Sequence, residues 1–240
     1  MAHLEWISDV DLNSSILNLL EIAEKAKFNA TRRFNKNVVD PFSALFEVSG
    51  FNFDFKTWTE SEVTRQAQKS LNTHIGNFHQ TILGHCKGWK NLGVGNVIDL
   101  VCEEKKIIAE VKNKHNTVTK GNLSSLYYSL DGLISPKKSI YKDFTAYYVT
   151  IVPKKPIRFD VEFSPSDKER GKKCEANSKI REIDGASFYE LVTGSKNALE
   201  DLFNVLPSTI KKASEGKFNV KNEEKLKELF VTAFKTSKSF

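Results

Sequence analysis

The chain has 240 residues, 40% of them hydrophobic and 11% aromatic, with a net charge of +6. That is enough apolar material for one sizeable globular domain and argues against a disordered chain. No run approaches the roughly 18 apolar residues that cross a bilayer, and the opening MAHLEWISDVD lacks the basic and apolar regions of a signal peptide.

The N-terminal part reads as helical. Leu12, Ile16, Leu19, Leu20 and Ala23 recur at helical spacing within Asp9–Phe34, with Asp9, Asp11 or Ser14 as the cap. Asp40-Pro41 is a cap followed by a first helical position, and predicts a short helix over Pro41–Val48 that stops at Gly50. Phe51, Phe53, Phe55 and Trp58 are expected to pack. A long helix starting at Thr59 or Ser61 and reaching about His85 carries the apolar stripe Val63, Ala67, Leu71, Ile75, Phe78 and Ile82. Its histidines, His74, His79 and His85, lack the one-turn spacing of a helical metal pair, so they are expected to be packed or polar residues. Glu47 and Glu62 are available as extra carboxylates. Gly84–Gly95 is a loop rich in glycine and lysine.

The stretch Val97–Lys112, VIDLVCEEKKIIAEVK, then reads as two short apolar strands joined by a charged turn. Asp99 sits inside the first and Glu110 at the end of the second, where an unpaired charge is costly. Strand side chains alternate, so Glu110 and Lys112 share a face, and pairing across Cys102–Lys106 brings Asp99 to the same end. Chains accept such a cost where the acids hold a metal or do chemistry. Two carboxylates and the Val111 carbonyl suit Mg²⁺, a hard ion that prefers oxygen. Lys112 suits a role in orienting a hydrolytic water or offsetting negative charge. An acid two residues before a lysine also occurs at Asp54/Lys56, Glu103/Lys105, Glu104/Lys106 and Glu223/Lys225. Only the Glu110 pair ends an apolar strand with a second acid strand before it. The alternative is an edge hairpin with an internal ion pair.

Beyond it, NKHNTVTKGN offers Asn113, Lys114, Asn116 and Lys120 as donors for bases or phosphates. Asn122–Ile134 is an amphipathic helix, FTAYYVTIV (Phe144–Val152) a central strand, and Ile157–Phe163 its expected neighbour. Ser164–Lys179 reads as a mobile loop whose Lys168, Arg170, Lys172 and Lys173 could meet a phosphate backbone. Arg181, opening a short strand to Ile183, is a further candidate. Phe188–Leu191 and Lys196–Leu206 read as helices, the second ended by Pro207, and Asn222–Phe234 as the last. From Lys105 to Arg181 there are 17 Lys/Arg against 8 Asp/Glu, a net +9, so the remainder is net −3. A basic region confined to the neighbourhood of the acids points to a polyanion; a solvated lysine-rich surface is the bland alternative. The cysteines Cys86, Cys102 and Cys174 fit neither a disulfide framework nor a zinc site, which points to a reducing cytoplasm.

Ile98-Asp99 followed by Glu110-Val111-Lys112 resembles the PD-(D/E)xK nuclease signature, with isoleucine at the tolerant first position. The longer runs GNVIDLVCEEKKIIAEVKNKHNTVTKGNLSSLYYSLDGLI and REIDGASFYELVTGSKNALEDLFNVLP resemble type II restriction endonucleases, the group that cuts GGNCC or related sites. The likeness covers about 78–207. It implies an α/β fold, an αβα sandwich around a mixed sheet, with helical additions at both termini. It further implies Mg²⁺-dependent cleavage of double-stranded DNA by a homodimer at a near-palindromic site. Asp99 and Glu110 become metal ligands with Val111, and Lys112 positions the attacking water. A DNA methyltransferase is expected in the same system, without direct binding. We expect a single nuclease domain: a helical part over about 1–90, a catalytic core over about 91–207 and a final helix over about 220–236. The rival readings are a repair or recombination nuclease of the same fold, and a basic DNA-binding protein without catalysis.

Overall fold

A computed structural model describes residues 3–93 and 95–234. They form two compact units: residues 16–78, and a larger one joining the residues up to Ser15 to those from His79 onward. Among the described residues there are seven α-helices and a central mixed sheet.

In the N-terminal part, α1 (Asp9–Arg33), α2 (Pro41–Gly50) and α3 (Phe55–Gly84) follow one another. The cap of α1 is Ser8, one residue before the expected candidates; its hydroxyl accepts from the Asp11 amide at 3.1 Å. Asp40 caps α2 as expected, accepting from the Phe42 amide at 2.9 Å. α3 begins four residues earlier than the first expected start, because Asp54 accepts from the Thr57 amide at 2.7 Å and serves as the cap. Of the four aromatics expected to pack here, Trp58 is buried, but Phe51 and Phe55 are exposed. Glu47 accepts from Trp58 Nε1, and Glu62 from Arg65 and Gln66. Both carboxylates are thus engaged within the unit of residues 16–78.

The larger unit is built on a six-stranded sheet in the order β1-β2-β3-β4-β8-β5. Its strands are β1 (Lys90–Asn91), β2 (Leu100–Cys102), β3 (Ile107–Lys114), β4 (Thr145–Val152), β5 (Asp160–Glu162) and β8 (Ile180–Asp184). β3, β4 and β8 run parallel, and the remaining pairs are antiparallel. The expected neighbour of β4, around 157–163, instead lies beyond β8. The parallel β8, with Ile180 and Ile183 fully buried, takes the central place, and the exposed triplet Asp160–Glu162 suits an edge. β1 falls inside the stretch read as a loop, drawn in by the buried Trp89.

Helix α4 (Leu123–Ile134) packs Tyr127, Leu130 and Ile134 against Ile108, Ala146, Tyr148 and Ile180 on one sheet face. Helix α5 (Gly185–Thr193) takes the other face, where Phe188 meets Tyr147. Gly185 is required there, since a Cβ would lie 2.4 Å from the Ile151 carbonyl oxygen. Helix α6 (Ala198–Ala213) runs through Pro207 instead of stopping before it. The buried Thr209 holds the next turn, donating to the Val205 carbonyl at 2.7 Å, so packing outweighs the missing amide. Helix α7 (Glu223–Phe234) stacks Phe230 on Phe203 of α6.

The segment read as a mobile loop is a hairpin of β6 (Ser166–Asp167) and β7 (Lys172–Lys173). It is pinned to α4: the Tyr128 hydroxyl donates to the buried Asp167 at 2.9 Å, and Tyr127 to the Glu175 carbonyl at 2.6 Å.

Candidate active site

The antiparallel register pairs Leu100 with Ala109, and the Asp99 amide donates to the Ala109 carbonyl at 2.9 Å. β2 therefore begins just after Asp99, while β3 continues for five more residues past Ala109. The Asp99 side chain fills the place the missing strand would occupy, accepting from the Val111 amide at 2.7 Å. The Val111 carbonyl has the Gln80 side-chain amide of α3 at 3.4 Å.

Glu110 and Lys112 lie on the face covered by α4, in the same parity as Ile108. Lys112 Nζ forms an ion pair with Glu110 Oε1, and the two side chains are 28% and 12% exposed. Burial raises the Asp99 carboxyl above its ordinary range. Burial, and then the charge of Asp99, push Glu110 up to about 7. Burial works against the Lys112 ammonium, but its hydrogen bond to Glu110 and the nearby Asp99 hold it charged more firmly than usual. Two acids that share a half-buried space and resist losing their protons leave that space short of positive charge. The donors facing it are hard oxygens, the kind Mg²⁺ takes. Among the described residues no group of three or more His, Cys, Asp or Glu could hold a metal.

The sheet register extends this polar row. Glu110 pairs with Tyr148 and Tyr148 with Glu182, while Lys112 pairs with the buried Thr150. Glu182 is half-buried, and burial raises its carboxyl. Sequence reading missed it, although an acid between Ile180 and Ile183 is the same signal that singled out Asp99. Gln80 was missed as well, and nothing in its helix pattern marks it.

The candidate DNA contacts divide. Asn113 is half-buried, and Lys114, Asn116 and Lys120 are exposed directly past the acids. Lys168, Lys172 and Lys173 are exposed on the β6–β7 hairpin. Arg170 lies over the Tyr128 ring at 4.7 Å with Asp167 at 3.6 Å. Arg181 is not brought to the acids. It falls in the row of Ala109 and Tyr147, on the opposite face, and is held by Asp160 through Nε at 2.5 Å. The histidines behave as packed or polar residues. His79 is half-buried with the Tyr189 hydroxyl at 2.8 Å, and the loss of solvent around its ring lowers it to about 4. His85 meets Asp11 at 3.5 Å.

A mixed sheet with two convergent carboxylates and an adjoining lysine has the parts a metal-dependent phosphodiester hydrolase uses. The sequence profile of the Eco47II restriction endonuclease family matches residues 4–215. Type II restriction enzyme Eco47II of Escherichia coli is 51% identical over 210 residues, covering 88% of this chain and 87% of that one. Type II restriction enzyme Sau96I of Staphylococcus aureus is 32% identical over 209 residues, covering 85% and 78%. The chain belongs to the Eco47II restriction endonuclease family, and the expectation of a type II restriction endonuclease is borne out. No solved structure matches.

Proposed function

We propose that the protein cuts both strands of DNA at a short, near-palindromic, GGNCC-like site, acting as a homodimer with Mg²⁺. The observation that carries the site assignment is the meeting of Asp99, Glu110 and Lys112 at the point where β2 gives way to β3. The arrangement of helices on both faces of the sheet supports an αβα sandwich of the restriction-endonuclease kind. Within it, about 91–207 form the nuclease core, and the preceding helices and α7 are additions to it.

Asp99 and Glu110, with the Val111 carbonyl, would hold the ion. An ion held there would supply positive charge to the displacement at phosphorus. Asp99 keeps its place through the Val111 amide, which fixes the carboxylate relative to the carbonyl two bonds away. Lys112 leaves Glu110 and orients the attacking water, its charge offsetting the charge that develops on the phosphate. Gln80 steadies the Val111 carbonyl. Products would carry a 3′-hydroxyl and a 5′-phosphate. The exposed lysines past β3 and on the β6–β7 hairpin would follow the backbone, within the segment of net +9. No helix among the described residues is long and apolar enough to cross a membrane. The protein would work in the cytoplasm beside a methyltransferase that protects the host's own sites.

The deciding experiment digests DNA of known sequence with Mg²⁺ and maps the ends. Discrete fragments ending at one class of GGNCC-like site are expected. Fragments cut at branched or damaged structures, or no cutting, would remove the proposal.

A further inference from the structure

Helix α2 is turned inside out. Its residues Asp40, Ser43, Ala44 and Glu47 face Trp58, Glu62, Arg65 and Gln66 of α3 across a cavity of about 710 Å³. Its apolar residues Phe42, Leu45 and Phe46, at the i, i+3 and i+4 positions of one stripe, point the other way and are 74%, 64% and 71% exposed. No residue of α2 is buried. Phe51, just after α2, and Phe55, the first residue of α3, are 64% and 70% exposed. A solvated helix shows the reverse arrangement, with its apolar stripe inward. Five large apolar side chains left exposed on one short helix and the residues after it mark an interaction site.

We propose that this face is the surface through which two copies of the chain associate. Taking about 200 Å² for a fully exposed Phe side chain, the four phenylalanines present roughly 560 Å². Leu45 brings the total near the ~800 Å² that each partner of a standard stable interface covers, with a polar rim supplying the remainder. The stripe is apolar throughout, so it complements itself, as the single shared patch of a twofold interface must. It is not built for DNA. The one charge within α2, Glu47, is negative and already engaged by Trp58 and Ser43, and the basic excess lies at 105–181. The choice of a second copy as occupant rests on the proposed double-strand cut, which needs two sites related by a twofold axis.

The test is the mass of the full chain in solution, without DNA, by analytical ultracentrifugation. The wild type is expected at twice the 27.2 kDa chain mass. Phe42→Lys with Phe46→Lys is expected at the single-chain mass with unchanged circular dichroism, because the replaced side chains are exposed in the single chain, and its melting temperature should lose the concentration dependence that association gives the wild type. Phe42→Glu with Phe46→Glu is expected to be monomeric too, and an equimolar mixture of the two variants to recover the dimer. A monomeric wild type, or lysine and glutamate variants that stay dimeric alone, would overturn the proposal. A monomeric wild type that binds lipid vesicles through this face would reassign it to a membrane surface. A dimeric wild type that never cuts DNA leaves this surface standing and removes the nuclease reading, so the two failures are distinguishable.

Discussion

Without a cation, Glu110 destabilises the fold at neutral pH, and that can be measured. Its carboxyl rises from an ordinary 4.5 to about 7, first through burial and then through Asp99. Between those values the folded chain binds more protons than the unfolded chain. Stability therefore falls as pH rises through that window, and the loss is complete above about 7. The displacement corresponds to about 3 kcal/mol. Glu110→Gln keeps the volume and removes the charge. The favourable contact with Lys112 is already inside that displacement, because Lys112 works to lower the same carboxyl. A net gain of about 3 kcal/mol is therefore expected at pH 8, nearly vanishing at pH 4.5. For a chain of this size that is a rise in melting temperature of roughly 6–12 °C. The assay is thermal unfolding in EDTA at the two pH values, with cleavage measured beside it. The variant should be more stable and unable to cut, since an amide is a poor ligand for a hard cation. A melting temperature at pH 8 equal to or below that of the wild type would refute the claim that these acids strain the metal-free site.

Lys112→Ala should lower the cleavage rate by at least ~100-fold while leaving metal-independent DNA binding intact; cleavage at the wild-type rate would remove Lys112 from the mechanism. Mg²⁺ at a hundred times its dissociation constant should stabilise the wild type by about 2.7 kcal/mol. Asp99→Ala should abolish that gain in a calorimetric titration, and an unchanged gain would place the ion elsewhere. Lys172→Ala with Lys173→Ala should weaken binding to every DNA sequence and reduce the salt slope by roughly 2. Arg181→Ala should leave the slope unchanged, because Asp160 already holds that side chain.

Much of the site was legible because its costs are local. Asp99 and Glu110 stand in apolar strands, and the period of two places Glu110 and Lys112 together without knowledge of the rest of the sheet. The cap of α2 was legible for a similar reason, being written within a few residues. What escaped depends on distant partners. Nothing near Ser164–Lys179 announces a hairpin, because Tyr127 and Tyr128 of α4 pin it. Pro207 reads as a stop only until the burial of Leu199, Leu202 and Thr209 is known. β5 was placed beside β4 by sequence order, whereas parallel pairing put the later β8 there. Arg181 looked available because its charge is visible in the sequence and its partner Asp160 is twenty-one residues away.

Register is the quantity on which the site depends. With β3 held by β4, a slip of one residue between β2 and β3 would turn Asp99 to the face that α5 covers, away from Glu110 and Lys112. The four-residue turn Glu103–Lys106 sets that register, and Lys106 closes it at φ 51°, where a side chain is strained. The Lys106 carbonyl also accepts from Thr145 at 2.8 Å, so the turn anchors β4 as well. Lys106→Gly should relieve the strain and stabilise the chain by up to ~1 kcal/mol with full cleavage retained. Lys106→Ile, branched at Cβ, should cost more than that and reduce cleavage with it. If the glycine variant were instead less stable in urea unfolding, backbone strain at Lys106 would not be a cost this turn carries.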